Sequence, residues 1–250
     1  MNSPAVRPRY GGPIIDAHVL LGQEEYLRLD AAELLHRMDA AGVERAVARP
    51  MGSGLVVHNR QGNDSLLQAG DRIHALVTAN PWSGAAGLDE LDRCHDLGAV
   101  GLFLHPARQG FMPTETIVQP LIERAAEYRW PVMFHTGTYV FSDILAVTEV
   151  AREFPETTFI AGFAGFADMW FELPGAIAEV PNLRLETAMI WGEAVHGVVT
   201  ASGADRVLFA SGEPRNRYAV ALAMLARFDF TDDQLQAMLA GNARKVYGLP

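Results

Sequence analysis

A chain of 250 residues that is 49% hydrophobic can bury a large core, and one barrel-sized α/β domain accounts for its length. Its formal net charge of −10, with 20 Lys and Arg scattered along it, excludes the basic stripe that a nucleic-acid partner needs. The sequence has no apolar run of about 18 residues that would cross a membrane, and the single cysteine, Cys94, cannot close an intramolecular disulfide.

The first 12 residues, MNSPAVRPRYGG, are polar, rich in Pro and Gly and without an apolar signal core; they read as a flexible arm and make the cytoplasm the expected compartment. The barrel-sized unit is then 13–250. Its first apolar run, IIDAHVLLG, predicts a buried strand whose alternation puts Asp16, His18 and Leu20 on one face. Further strands are predicted at 45–51, 73–80, 99–106, 131–137, 157–163, 183–188 and 206–211, which makes eight with the one at 13–21. Helical patterns lie between them: AAELLHRMDAAG, GLDELDRCHDLG, IVQPLIERAAEYR, ILAVTEVAREFP, GEAVHGVVTASG and YAVALAMLARF, several stopped by Gly or Pro. Cys94 sits inside the second and reads as a buried, inert residue. The final segment, TDDQLQAMLAGNARKVYGLP, opens with a Thr cap and an acidic first turn and continues as one or two helices.

Eight strand-helix units with near-continuous apolar strands predict an α/β fold of the (β/α)8 TIM-barrel type. A doubly wound open sheet is the alternative, but no GxGxxG turn follows the first strand and no GxxxxGK[ST] occurs. In a barrel the site lies at the C-terminal ends of the strands, here His18, Arg49, Asn80, His105, His135, Phe163, Glu186 and Gly212.

The segments IIDAHVLLG, ELLHRMDAAGVERAV, GLFLHP, ERAAEYRWPVMFHTG, VLFASGEP and LAGNARKVYGL resemble, in order and spacing, the amidohydrolase superfamily. They are most similar to the amidohydrolase-related branch of carboxymuconate-semialdehyde-type decarboxylases and metal-independent dicarboxylate lactonases. The resemblance implies a divalent metal held by an HxH pair on strand 1, a His after strand 5, often a His after strand 6, and an Asp ending strand 8. Carried over, His18 and His135 are present, while Leu20, Phe163 and Gly212 stand at the other three positions. Phe103 stands where some relatives place a lysine. Leucine, phenylalanine and glycine side chains donate no lone pair. The expectation is therefore no metal and no cofactor, with Leu20 plugging the place of a missing ligand and the hydrolytic Asp gone.

What remains predicts acid/base chemistry rather than water attack. His18 and His135 are expected within roughly 3–5 Å of each other or of a shared atom, as a coupled imidazole pair. Asp16 is expected to orient a histidine or the barrel floor, and Glu186 and Glu213 are the nearby carboxylates that could replace the lost Asp. Arg49 and Arg215 suit a carboxylate at the barrel mouth, His105 in FLHP fixes a loop or lines the pocket, and Phe103, Tyr139, Phe163, Trp170 and Trp191 predict an apolar wall. The expected partner is a small, largely apolar, possibly carboxylated molecule, with a homo-oligomer as a further expectation. The reaction is of lyase, isomerase or cyclase type. Two other readings stay open: a catalytically silent barrel that binds a small ligand or a partner enzyme, and a metal hydrolase that recruits Glu213 and His105.

Overall fold

The computed structural model describes residues 11–138, 140–164 and 170–250. Among the described residues nine strands form one sheet, in which the short β2 (Leu27–Leu29) flanks the first of eight strands that otherwise follow in chain order. β1 (Ile14–Glu24), β3 (Val43–Pro50), β4 (Ile73–Val77), β5 (Gly101–Leu104), β6 (Val132–His135), β7 (Phe159–Gly162), β8 (Leu183–Glu186) and β9 (Val207–Leu208) pair in parallel with their neighbours in that order. Their residues are almost continuously buried, as strands covered on both faces must be.

The sheet closes on itself through main-chain bonds between β1 and the chain just past β9. Ala17 N donates to Phe209 O, Gly212 N to His18 O and Leu20 N to Glu213 O, at 2.8, 3.1 and 2.8 Å. Asp16 staples this seam: its carboxylate accepts from the backbone N–H of His18 and of Ser211 and from the Ser211 hydroxyl. The result is the predicted (β/α)8 barrel.

Helices follow the strands and cover the outside. Ala31–Ala41 is the clearest, capped by Asp30, which accepts from Glu33 N, and ended by Gly42 in the left-handed region. Several short helical segments escaped the sequence patterns, the longest being Asn59–Leu67 and Leu173–Glu179, with single turns at Ser53–Val56 and Pro106–Gln109; all are shorter than the windows that make 3.6-residue periodicity visible. The last segment behaves as read: Thr231 forms a capping box with Gln234, and Asp232–Gln236 runs through a π-turn at Ala237–Gly241 into Asn242–Tyr247. Cys94 is fully buried and donates to Glu90, in keeping with a structural residue.

One strand was not expected. β1 continues three residues past its predicted end and forms an antiparallel hairpin with β2 (Leu27–Leu29), Glu24 facing Leu27 across the turn. A Glu25-Tyr26 turn carries no Asn-Gly or Asp-Gly signature, and three residues are too few to show alternation. The hairpin matters because it brings Glu24 over the barrel mouth.

Candidate functional site

The C-terminal ends of β1, β3 and β8 meet around one imidazole. His18 is fully buried, with Nδ1 3.0 Å from Glu186 Oε1 and Nε2 accepting from Arg49 Nε at 3.2 Å. An Nε2 that accepts carries no hydrogen, so His18 is the neutral Nδ1–H tautomer and donates to Glu186. Burial and the Arg49 charge both hold its pKa well below the usual histidine range.

Glu186 anchors more than the histidine. Its two oxygens also accept from the backbone N–H of Phe163 and of Ala188, which fixes the turns that leave β7 and β8. Burial raises the carboxyl to about 8, against the pull of those two N–H groups and Arg49. Three donors, the His18 ring among them, converge on its two oxygens and temper that rise without reversing it.

Arg49 is 98% shielded, being 2% exposed. Its Nε is bound to His18, its Nη1 donates to Pro50 O at 2.9 Å, and its guanidinium lies 4.6 Å from the centre of the Phe103 ring. Phe103, where a relative's lysine would stand, is thus the floor beneath a cation. Arg49 has no carboxylate at ion-pair distance among the described residues. Burial, then the charges of Arg215 and Arg108, lower its proton affinity.

These groups back onto a cavity of about 110 Å³ lined by Arg49, His105, Arg108, His135, Phe163, Met189 and Arg215. Glu24, from the β1 hairpin, pairs with both Arg108 and Arg215. One carboxylate therefore serves two of three arginines. A second cavity of about 420 Å³ shares Met189 and Arg215 and is walled by Ile190, Trp191, Val220 and Met224.

While the charge of His18 also bears on His135, the stacked imidazole pair is His105 with His135. Their rings stack at 3.9 Å, while His18 and His135 are each packed against Phe163, at 4.8 and 5.3 Å between ring centres. The phenylalanine that takes the strand-6 ligand position fills the space the two histidines would have shared. His135 Nε2 meets Thr138 Oγ1 at 3.1 Å, and the Nδ1 atoms of His105 and His135 are buried with no hydrogen-bond partner among the described residues. Burial, reinforced by the neighbouring imidazole and the three arginines, pushes His105 far below the usual histidine range; His135 shifts the same way for the same first cause. Both are neutral at pH 7.

Other expected site residues lie elsewhere. Glu213 is buried, but its carboxylate meets Arg37 at 2.6 Å and does not line the cavity, so it does not replace the lost Asp. Asp16 holds the His18 backbone, not its ring, and burial raises it to about 7. Leu20 is fully buried in the core. Trp170 stacks on Phe171 at 4.0 Å, and Trp191 is 57% exposed on the larger cavity, so among the described residues Phe163 is the phenylalanine, tyrosine or tryptophan that lines the inner one. Tyr139 lies outside the described residues. Arg108, Met189 and Glu24 were not anticipated. Arg108 is the second residue after FLHP and carries the same loop-cation signal that singled out Arg215.

The donor set does not fit a divalent metal. Both His18 nitrogens are engaged, one of them by a guanidinium, and a cation there would face Arg49 at contact distance. Among the described residues no group of three His, Cys, Asp or Glu side chains could hold a metal ion. Nor could Gly212 simply be restored to a carboxylate: at φ +75°, a Cβ there would lie 3.1 Å from Ala188 Cβ and 3.3 Å from the Phe163 ring.

Comparison with known proteins gives a family and a fold. The family model described as Amidohydrolase matches residues 16–249. No curated protein matches the chain in sequence. Among solved structures, a 5-carboxyvanillate decarboxylase from Novosphingobium aromaticivorans, complexed with manganese and 4-hydroxy-3-methoxy-5-nitrobenzoic acid, superimposes with a TM-score of 0.81 at 16% identity, over 99% of this chain and 100% of that one. A 2,6-dihydroxybenzoate decarboxylase from Rhizobium gives 0.76 at 17% identity, over 96% and 99%. An uncharacterized TIM-barrel protein from Bordetella bronchiseptica gives 0.74 at 18% identity, over 95% and 99%. At these identities the likeness is one of fold.

Proposed function

The chain belongs to the amidohydrolase family, and from that premise we propose that it is a metal-independent enzyme acting on a small carboxylated molecule with an apolar body, by histidine proton transfer of the lyase or isomerase type. The observation that carries this reading is the convergence of Arg49, Arg108 and Arg215 with two neutral histidines on one cavity. Guanidinium forks bind carboxylates through paired charge-assisted hydrogen bonds. The inner cavity is the size of such a head group, and the adjoining one offers Ile190, Trp191 and Met224 to the rest of the molecule.

The proton chemistry falls to His135 and His105. Each is unprotonated at neutral pH and lines the cavity, so the proton taken from a carbon or hydroxyl beside the carboxylate is assigned to this pair. Their stacking lets only one of the pair be charged at a time. His18, sealed behind Phe163, is a support and not the acid or base first expected of it. That two similar folds are decarboxylases of aromatic acids favours a lyase-type step over hydrolysis.

The test is turnover of a panel of aromatic and unsaturated acids by chelator-treated protein. The expected outcome is conversion of at least one acid but not of its amide, reduced about 10²–10⁴-fold in His135→Ala. Full activity in both His135→Ala and His105→Ala would overturn the histidine chemistry. Tight binding of an acid that is never converted would instead favour a catalytically silent barrel.

A further inference from the structure

We propose that the Arg49 guanidinium is the resident cation of this site, held by the Glu186–His18 pair in the place where the family motif would put a metal, and that it binds the substrate carboxylate directly. This deepens the reading above and rests on it for the carboxylate. The motif's surviving strand-1 histidine turns Nε2, the nitrogen a metal would take, to Arg49 Nε at 3.2 Å. Glu186 holds the opposite nitrogen, Nδ1, at 3.0 Å and so dictates which one is bare.

The arginine is positioned as a bound ion would be. Nε goes to His18, Nη1 to Pro50 O and the guanidinium face to Phe103, which leaves Nη2 without a protein partner among the described residues while Arg49 lines the cavity. Glu24 balances Arg108 and Arg215 but not Arg49. A buried cation with one free donor edge and no carboxylate of its own is a site for a carboxylate from outside. The same arrangement explains why Leu20, Phe163 and Gly212 can all lack donor groups: the charge they would have held has been replaced by one covalently attached to β3. Glu186 and His18 are positioning residues in this scheme, since neither lines the cavity.

Two measurements test it. Nitrogen-15 imidazole spectra of the wild-type protein near neutral pH are expected to show His18 with a protonated Nδ1 and a bare Nε2, both unchanged on adding zinc ion. A protonated Nε2, or zinc-induced shifts at His18 and His135 together, would overturn the proposal without any appeal to activity. Calorimetric titration with benzoate, and with benzamide as the neutral control, is then expected to show benzoate binding at least about tenfold weaker in both Arg49→Gln and Arg49→Lys, the lysine lacking the fork that serves His18, Pro50 and the ligand at once. Benzoate affinity unchanged in both Arg49 variants but lost in Arg108→Gln or Arg215→Gln would overturn the role of Arg49 and leave the carboxylate-binding reading standing. Failure of the wild type to prefer any acid of the panel, benzoate included, over its amide would sink that reading, and with it the claim that Arg49 holds a substrate.

Discussion

The most informative single residue is Phe163, a non-glycine residue at φ +51° whose backbone N–H is held by Glu186 and whose ring keeps His18 and His135 apart. A left-handed conformation costs an L-residue roughly 1–2 kcal/mol, so the turn persists because the carboxylate and the packing of the ring over-determine it. Its ring also occupies the room beside Gly212, which ties two departures from the metal motif into one steric change. Gly212→Ala is expected to destabilise the fold by about 1–2 kcal/mol from its positive φ alone, and more because of the 3.1 Å approach to Ala188 Cβ. Chemical denaturation would check this; a neutral substitution would mean that the crowding is not there. Which residue types had lost their lone pairs was legible in the sequence, since Leu20, Phe163 and Gly212 name themselves. What replaced them was not, because the contact of Arg49 with His18 joins two strands through side-chain rotamers that no spacing encodes.

Among the elements, β1 does the most. Its lower half closes the barrel through Asp16, and its upper half carries Glu24 over the mouth. Asp16→Ala would strand the N–H groups of His18 and Ser211 and the Ser211 hydroxyl, for an expected loss of about 3 kcal/mol or more, whereas Asp16→Asn keeps an acceptor for both N–H groups and is expected to cost about 1 kcal/mol or less. Equal losses in the two variants, measured by denaturation, would contradict the seam role. Glu24→Gln frees Arg108 and Arg215, so carboxylate binding is expected to tighten several-fold at low salt and the gain to shrink as salt is added. Weaker binding would mean that Glu24 orders the arginines and does not compete for them. The strand count and order were readable from apolar runs, because parallel barrel strands are buried on both sides. The β2 hairpin was not, because it is three residues long and lies beyond the barrel.

At the scale of the molecule, a chain of net charge −10 keeps a cavity lined by three arginines, with neutral histidines in and behind its wall, His18 and His105 buried and His135 half-buried. All three have folded pKa values depressed below the ordinary 6.5 or so. The unfolded chain therefore takes up protons below about pH 6.5 that the folded one refuses, and stability is lost as pH falls through that value. Asp16 and Glu186 run the other way: burial raises them to about 7 and about 8, so the folded state gives up stability as pH climbs toward those values. Stability is thus expected to peak close to pH 6.5–7, and His135→Gln is expected to lessen the acid-side slope by up to about one proton per chain, read from melting temperature or denaturation midpoint against pH. An unchanged acid limb would show that His135 protonates freely in the fold.

In the proposed site an arginine, Arg49, takes the metal's place. The most direct measurement is the content of Zn, Mn, Fe, Co and Ni per chain in untagged protein, before and after dialysis against a chelator. Far less than one metal per chain is expected in both samples; one tightly held metal per chain that disappears in His18→Ala or His135→Ala would show that Arg49 has not displaced the ion.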